Sequence, residues 1–112
     1  MAMVSHMPHA LAFSLVAAAA GPDGDDAAYA RTARLAGPSF ESATRVAASD
    51  PALWTELFLS NRDALMESLG SFRVALAALE ADVLSGNSAA LTDRLARLRR
   101  FKTGERPRKD AS

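Results

Sequence analysis

From Leu65 onward the large apolar residues fall at Leu65, Leu69, Phe72, Leu76, Leu79 and Val83, in steps of four, three, four, three and four. That spacing keeps one stripe of a helix apolar and makes a heptad-like seam. It commits the middle of the chain to helix. Composition points the same way elsewhere, because alanine and leucine are abundant and β-branched residues are few. The expected fold class is all-α: a helical bundle of about five helices with one long helix and no strand.

Glycine and proline divide the helical segments. The first is expected from about Met7 or Pro8 to Ala20. It is apolar almost all round, so burial on most sides is expected. Gly21-Pro22-Asp23-Gly24 stops it. A short segment follows over about Asp25 to Leu35, opened by two acids that suit a helix N-terminus. Ala36-Gly37-Pro38-Ser39 breaks the chain again, and a further short helix covers about Phe40 to Ala47.

Asp50-Pro51 then supplies an N-cap and a first-turn proline. Continuous from there to Ser85, the long helix would measure about 50 Å at 1.5 Å per residue. A helix of that length suggests packing against a second chain. Gly70 is a candidate kink or close crossing. Gly86-Asn87-Ser88 reads as a stop and a new start, and Leu91, Leu95 and Leu98 share one face of a last helix ending near Phe101. The domain organisation expected is one helical domain over 1–102 and a disordered basic tail over 103–112.

At 112 residues with 49% hydrophobic content, the chain has material for one core and one domain. A domain of this size leaves much surface exposed and leans on a partner for further burial. There is no cysteine, which removes disulfides, thiolate metal sites and cysteine nucleophiles. It accords with a reducing, cytoplasmic location. The apolar run over 10–20 lacks the basic flank of a signal peptide and is short of the ~20 residues that span a bilayer. No membrane partner is expected.

Charge is balanced overall but segregated. Residues 94–112 hold eight Lys/Arg against two Asp/Glu, whereas residues 1–93 hold five against eleven. The basic end has almost no aromatic residues to stack on bases. It reads as a last helical turn that complements the helix dipole, followed by a solvated tail, and no nucleic-acid partner is expected.

Three features could carry chemistry. His6 and His9 are the only histidines and stand three residues apart on either side of Pro8. On a helix they share a face. They could begin a metal site, donate hydrogen bonds to an anion, or simply face solvent at a helix start. No third ligand of the spacing a metal needs is evident, and no metal is expected. Arg45, among small apolar residues, is either a surface side chain with a buried stem or a buried clamp for an anion such as a carboxylate. Trp54, the only tryptophan, is a core or interface anchor whose indole N–H could also reach a ligand. Neither GxGxxG after a strand nor GxxxxGK[ST] is present, so nucleotide-dependent chemistry would take its cofactor from another domain.

Two blocks resemble a known family. Ser5-His6-Met7-Pro8-His9, running into Ala10-Leu11-Ala12-Phe13-Ser14-Leu15-Val16, is similar to the "SHLPH" start of the C-terminal helical domain of prephenate and arogenate dehydrogenases. The stretch from Gly37-Pro38-Ser39-Phe40 through Thr44-Arg45-Val46-Ala47 to Ser49-Asp50-Pro51 and Trp54 is similar to that family's "GGGF-x-D-x-TRIA-x-SDP-xx-W". Asn61-Arg62-Asp63-Ala64-Leu65 resembles its "NRE-x-L". Order and spacing agree over about residues 1–70.

The resemblance implies the substrate-binding and dimerisation half of an enzyme of tyrosine biosynthesis, forming an intertwined homodimer. NAD or NADP and the catalytic histidine would belong to an N-terminal Rossmann domain absent from this chain, so the chain alone would be inactive and would hold no catalytic residue. His6, His9, Arg45, Trp54 and Ser42 would be the substrate-binding positions, with Arg45 on a substrate carboxylate and Trp54 near the pocket or the partner subunit's site. The chain departs from the pattern at Pro38 and Ser39, where the family has glycines, and at Ser42, where it has an acid. It also begins just before the histidine motif. The competing expectation is a stand-alone helical homodimerisation module without catalytic activity.

Overall fold

The computed structural model describes residues 6–104, and among these there are six α-helices and no strand. The helices are α1 (Met7–Ala20), α2 (Asp26–Ala36), α3 (Pro38–Thr44), α4 (Pro51–Ser60), α5 (Arg62–Ser85) and α6 (Ser88–Thr103). A single 3-10 turn, Arg45–Ala48, follows α3. The all-α expectation holds. Met1–Ser5 and the chain after Gly104 lie outside the described residues, and with them Ser5 of the histidine motif and most of the tail expected over 103–112.

The helix starts are chemical. Asp25 accepts from the backbone N–H groups of Ala27 and Ala28 at 2.9 and 3.4 Å, Asp50 from Ala52 at 3.0 Å, and Asn87 from Ala90 at 3.0 Å. Each satisfies donors that a helix leaves orphaned at its first turn. At the far end of the chain, Arg100 and Lys102 occupy the last turn of α6, and Gly104 closes it in the left-handed conformation.

The chain divides into two compact units, with the boundary between Gly70 and Ser71 inside α5. In the first, α1 packs against α2, α3 and the 3-10 turn. Ala12, 1% exposed, is its one buried residue. Tyr29 and Phe40 join α2 to α3 with ring centroids 5.8 Å apart, and Phe13 meets Phe58 of α4 edge to face at 6.3 Å. The expectation that α1 is buried on most sides is not met within one chain. Leu15 is 42% exposed, and Ala17 and Ala18 are exposed as well. Three short neighbours cannot surround a helix of 14 residues.

The long helix expected from Pro51 to Ser85 is interrupted at Asn61. There the amide side chain donates to the Leu57 carbonyl at 3.1 Å, ending α4, and the Asn61 carbonyl accepts from Leu65 N–H at 2.9 Å, starting α5. The ladder bond from the Asn61 N–H to Leu57 persists at 3.2 Å, so the side-chain amide adds to it, and the break lies in the Asn61 backbone at φ −118° and ψ 31°. The remaining long helix, α5, has 24 residues, roughly 36 Å at 1.5 Å per residue, and continues through Gly70.

The second unit comprises the rest of α5 and α6. An ion pair between Asp82 and Arg94 bridges the turn at Gly86-Asn87. Half-exposed pairs of this kind contribute at most about 1 kcal/mol. No described residue of this unit is buried, and Leu84 is 89% exposed. No helix of the described residues is long and apolar enough to cross a membrane.

Gly37 sets where α3 begins. Its φ of 68° and ψ of −150° belong to a region open essentially to glycine alone. The substitution Gly37→Ala is expected to cost about 1–3 kcal/mol through that strain, although the space around the position is open. Urea denaturation followed by circular dichroism measures it, with an unshifted midpoint as the contrary result.

Candidate functional site

The first unit presents the sequence-predicted residues in two settings. One is an aromatic cluster that joins the start of α1 to α4. The His9 ring stacks on Trp54 with centroids 3.6 Å apart and planes 13° apart. His6 meets the same indole edge-on at 5.7 Å and 85°. Phe58, one turn further along α4, tilts against Trp54 at 5.6 Å. Pro8 in the first turn of α1 and Asp50-Pro51 at the start of α4 fix the two helix ends that make this meeting possible.

His6 is only 8% exposed, and its Nδ1 is buried with no hydrogen-bond partner among the described residues. Leaving a buried polar nitrogen unsatisfied costs about 1–3 kcal/mol, so such an atom is a natural contact for a polar ligand. Beside the cluster lies a small open cleft of about 190 Å³ lined by Phe13, Pro51, Trp54, Thr55 and Phe58.

The other setting surrounds Arg45, the first residue of the 3-10 turn. It lines an open groove of about 440 Å³ together with Val16, Tyr29, Glu41, Thr44, Ala47 and Ala48. The turn is anchored by Thr44, which is buried and whose hydroxyl donates to the Phe40 carbonyl at 2.8 Å. The guanidinium is exposed and makes no ion pair with a described residue. Of the two readings left open for Arg45, the buried clamp is not met: the turn that carries it packs against α1, and that contact leaves the Arg45 side chain at the surface. The groove's lining includes neither histidine nor Trp54. Ser42 stands exposed on α3 and is not part of that lining.

The structure thus brings His6, His9 and Trp54 together and sets Arg45 in a different depression. Sequence reasoning missed Tyr29 and Glu41. The signal for Glu41 was its place four residues before Arg45. Tyr29, the only tyrosine, gave no local signal. Among the described residues, no group of three or more His, Cys, Asp or Glu is placed to hold a metal.

The model of the prephenate dehydrogenase dimerization domain matches residues 1–97. Among curated proteins, the chain is 37% identical to the cyclohexadienyl dehydrogenase of Zymomonas mobilis, over 75% of this chain and 30% of that protein. It is 34% identical to the prephenate dehydrogenase of Bacillus subtilis, over 58% of this chain and 17% of that protein. With the prephenate dehydrogenase of Lactococcus lactis the identity is 32%, over 79% of this chain and 24% of the relative. The chain therefore spans less than a third of the length of each of these relatives. No solved structure matches it. With its family model covering nearly the whole helical region, the chain belongs to the prephenate dehydrogenase dimerization-domain family.

Proposed function

We propose that this chain is the substrate-binding and homodimerising part of a prephenate or arogenate dehydrogenase of tyrosine biosynthesis, working in the cytoplasm. The observation that carries the reading is Arg45, an exposed side chain that lines a groove from a tight turn following the buried Thr44. A guanidinium binds a carboxylate through two parallel charge-assisted hydrogen bonds, and prephenate carries two carboxylates. His6, His9 and Trp54 form a separate cluster in this structure, so in this proposal their imidazoles would donate hydrogen bonds to a different part of the substrate from the one Arg45 holds. Ser42, in the position where the family has an acid, would lie at the edge of the substrate region.

NAD or NADP would supply the hydride chemistry. The described residues do not form a cradle for a dinucleotide, because they contain no strand and no glycine-rich strand-turn-helix. In this proposal the cofactor is held by a separate Rossmann domain, and the present chain binds and orients substrate and joins two protomers.

The test is reconstitution. The chain joined to or mixed with a cognate Rossmann domain should oxidise prephenate or arogenate with NAD(P), and the chain by itself should not. In the reconstituted enzyme, Arg45→Ala is expected to lower kcat/KM by roughly 10–100-fold, the range of a lost charge-assisted pair. An unchanged kcat/KM would remove Arg45 from the substrate site. Failure of every such pairing, with dimerisation intact, would favour the helical interaction module without catalytic activity.

A further inference from the structure

The groove at Arg45 contains a second charge that the substrate reading does not use. Glu41 lines it from α3, one turn before Arg45. A glutamate four residues ahead of an arginine on a regular helix normally pairs with it. Here it does not: no ion pair joins them, and neither side chain has another salt-bridge partner among the described residues. The backbone gives the reason. Thr44, at φ −105° and ψ 2°, leaves the α-helical region, and Arg45 opens a 3-10 turn. The register that would bring residues four apart together ends between the two charges.

The result is a groove with an unpaired anion and an unpaired cation on one rim. Tyr29 forms part of the wall, braced by the ring of Phe40 at 5.8 Å. Val16, Ala47 and Ala48 supply an apolar lining. A ligand that satisfies every one of these groups carries a carboxylate, an ammonium and an apolar or ring-bearing body. That is the chemistry of an α-amino acid. A keto acid of the same skeleton would satisfy Arg45 but leave Glu41 facing a carbonyl oxygen, acceptor against acceptor.

We infer that Glu41 is a specificity residue that selects the amino-acid form of the substrate over the keto-acid form, by pairing with its ammonium while Arg45 holds its carboxylate. The inference rests on the groove being the substrate site and adds to that reading the class of substrate it prefers. Both charges are exposed, so the selection is modest, about 1.5-fold to fivefold, in keeping with solvent-screened pairs.

The probes are L-tyrosine and the α-keto acid of the same ring and chain, which differ only in the group Glu41 would read. Titration calorimetry on the 112-residue chain should show tyrosine binding about 1.5-fold to fivefold more tightly than the keto acid. Glu41→Gln, isosteric and at an exposed position, should abolish that difference by weakening tyrosine alone. Arg45→Ala should weaken both ligands together. Equal affinities in the unaltered chain, or a ratio unmoved by Glu41→Gln, would overturn the role of Glu41 and leave the groove as a carboxylate site. Binding of neither ligand, or binding indifferent to Arg45→Ala, would overturn the substrate-site reading itself and this inference with it.

Discussion

Replacing Trp54 with alanine is expected to destabilise the chain by about 2–3 kcal/mol. A fully buried tryptophan cut to alanine costs about 3–5 kcal/mol, and Trp54 is only partly buried, which places the effect toward the lower end. The loss is spread over named contacts: the stack with His9, the edge contact with His6 and the tilted contact with Phe58. Aromatic pairs contribute about 0.5–1.5 kcal/mol each beyond the area they bury. Few other buried side chains compensate, since Ala12 and Leu65 are the only buried hydrophobic residues described. For a small domain whose total stability is of order 5 kcal/mol, this is a large fraction. Urea denaturation followed by circular dichroism, at one fixed protein concentration, gives the number. Trp54→Phe should retain most of the stability, because a ring remains between His9 and Phe58. A loss below about 1 kcal/mol for the alanine variant would mean that the cluster does not hold α1 to α4.

The helices were legible because their starts are written in single residues. Asp25, Asp50 and Asn87 are capping side chains whose hydrogen bonds are the ones their positions predict. The break at Asn61 was not legible from periodicity, because the apolar residues on either side of it continue as if one helix ran through. The break lies in the backbone of one residue, Asn61 at φ −118° and ψ 31° with its amide on the Leu57 carbonyl, local geometry that a pattern of hydrophobic positions does not register.

The site divides in the same way. That His6 and His9 share a face follows from their spacing. That Trp54, 45 positions beyond His9, stacks on that face is a tertiary fact, and only the resemblance to a family grouped them beforehand. Glu41 was hidden by a sound local rule. Four residues before an arginine, it reads as half of an ordinary helical ion pair, and only the change of backbone at Thr44 separates the two.

A second large effect is expected where the chain exposes what it should bury. On α5, Leu76 and Val83 belong to the heptad-like seam and are 42% and 59% exposed. Exposed apolar stripes of this kind mark surfaces that another chain covers, and the family is that of a dimerization domain. The variant Leu76→Asp combined with Val83→Asp is expected to weaken homodimerisation by at least about 100-fold, because a two-fold interface would receive four carboxylates and burying an unpaired charge costs several kcal/mol. Sedimentation velocity would then show the 11.8 kDa single chain at concentrations where the unaltered protein, as a proposed homodimer, is expected to sediment as a pair. The exposure that exposes the seam to a partner also isolates the outcome. Neither side chain is buried within its own chain, so helix content should persist while association is lost. Arg97→Ala, an exposed change on α6, serves as the control and should leave association unchanged. If the double variant stayed paired down to the same dilution as the unaltered chain, the seam would lie outside the interface. The exposed flank of α1 around Leu15 would then be the next surface to charge.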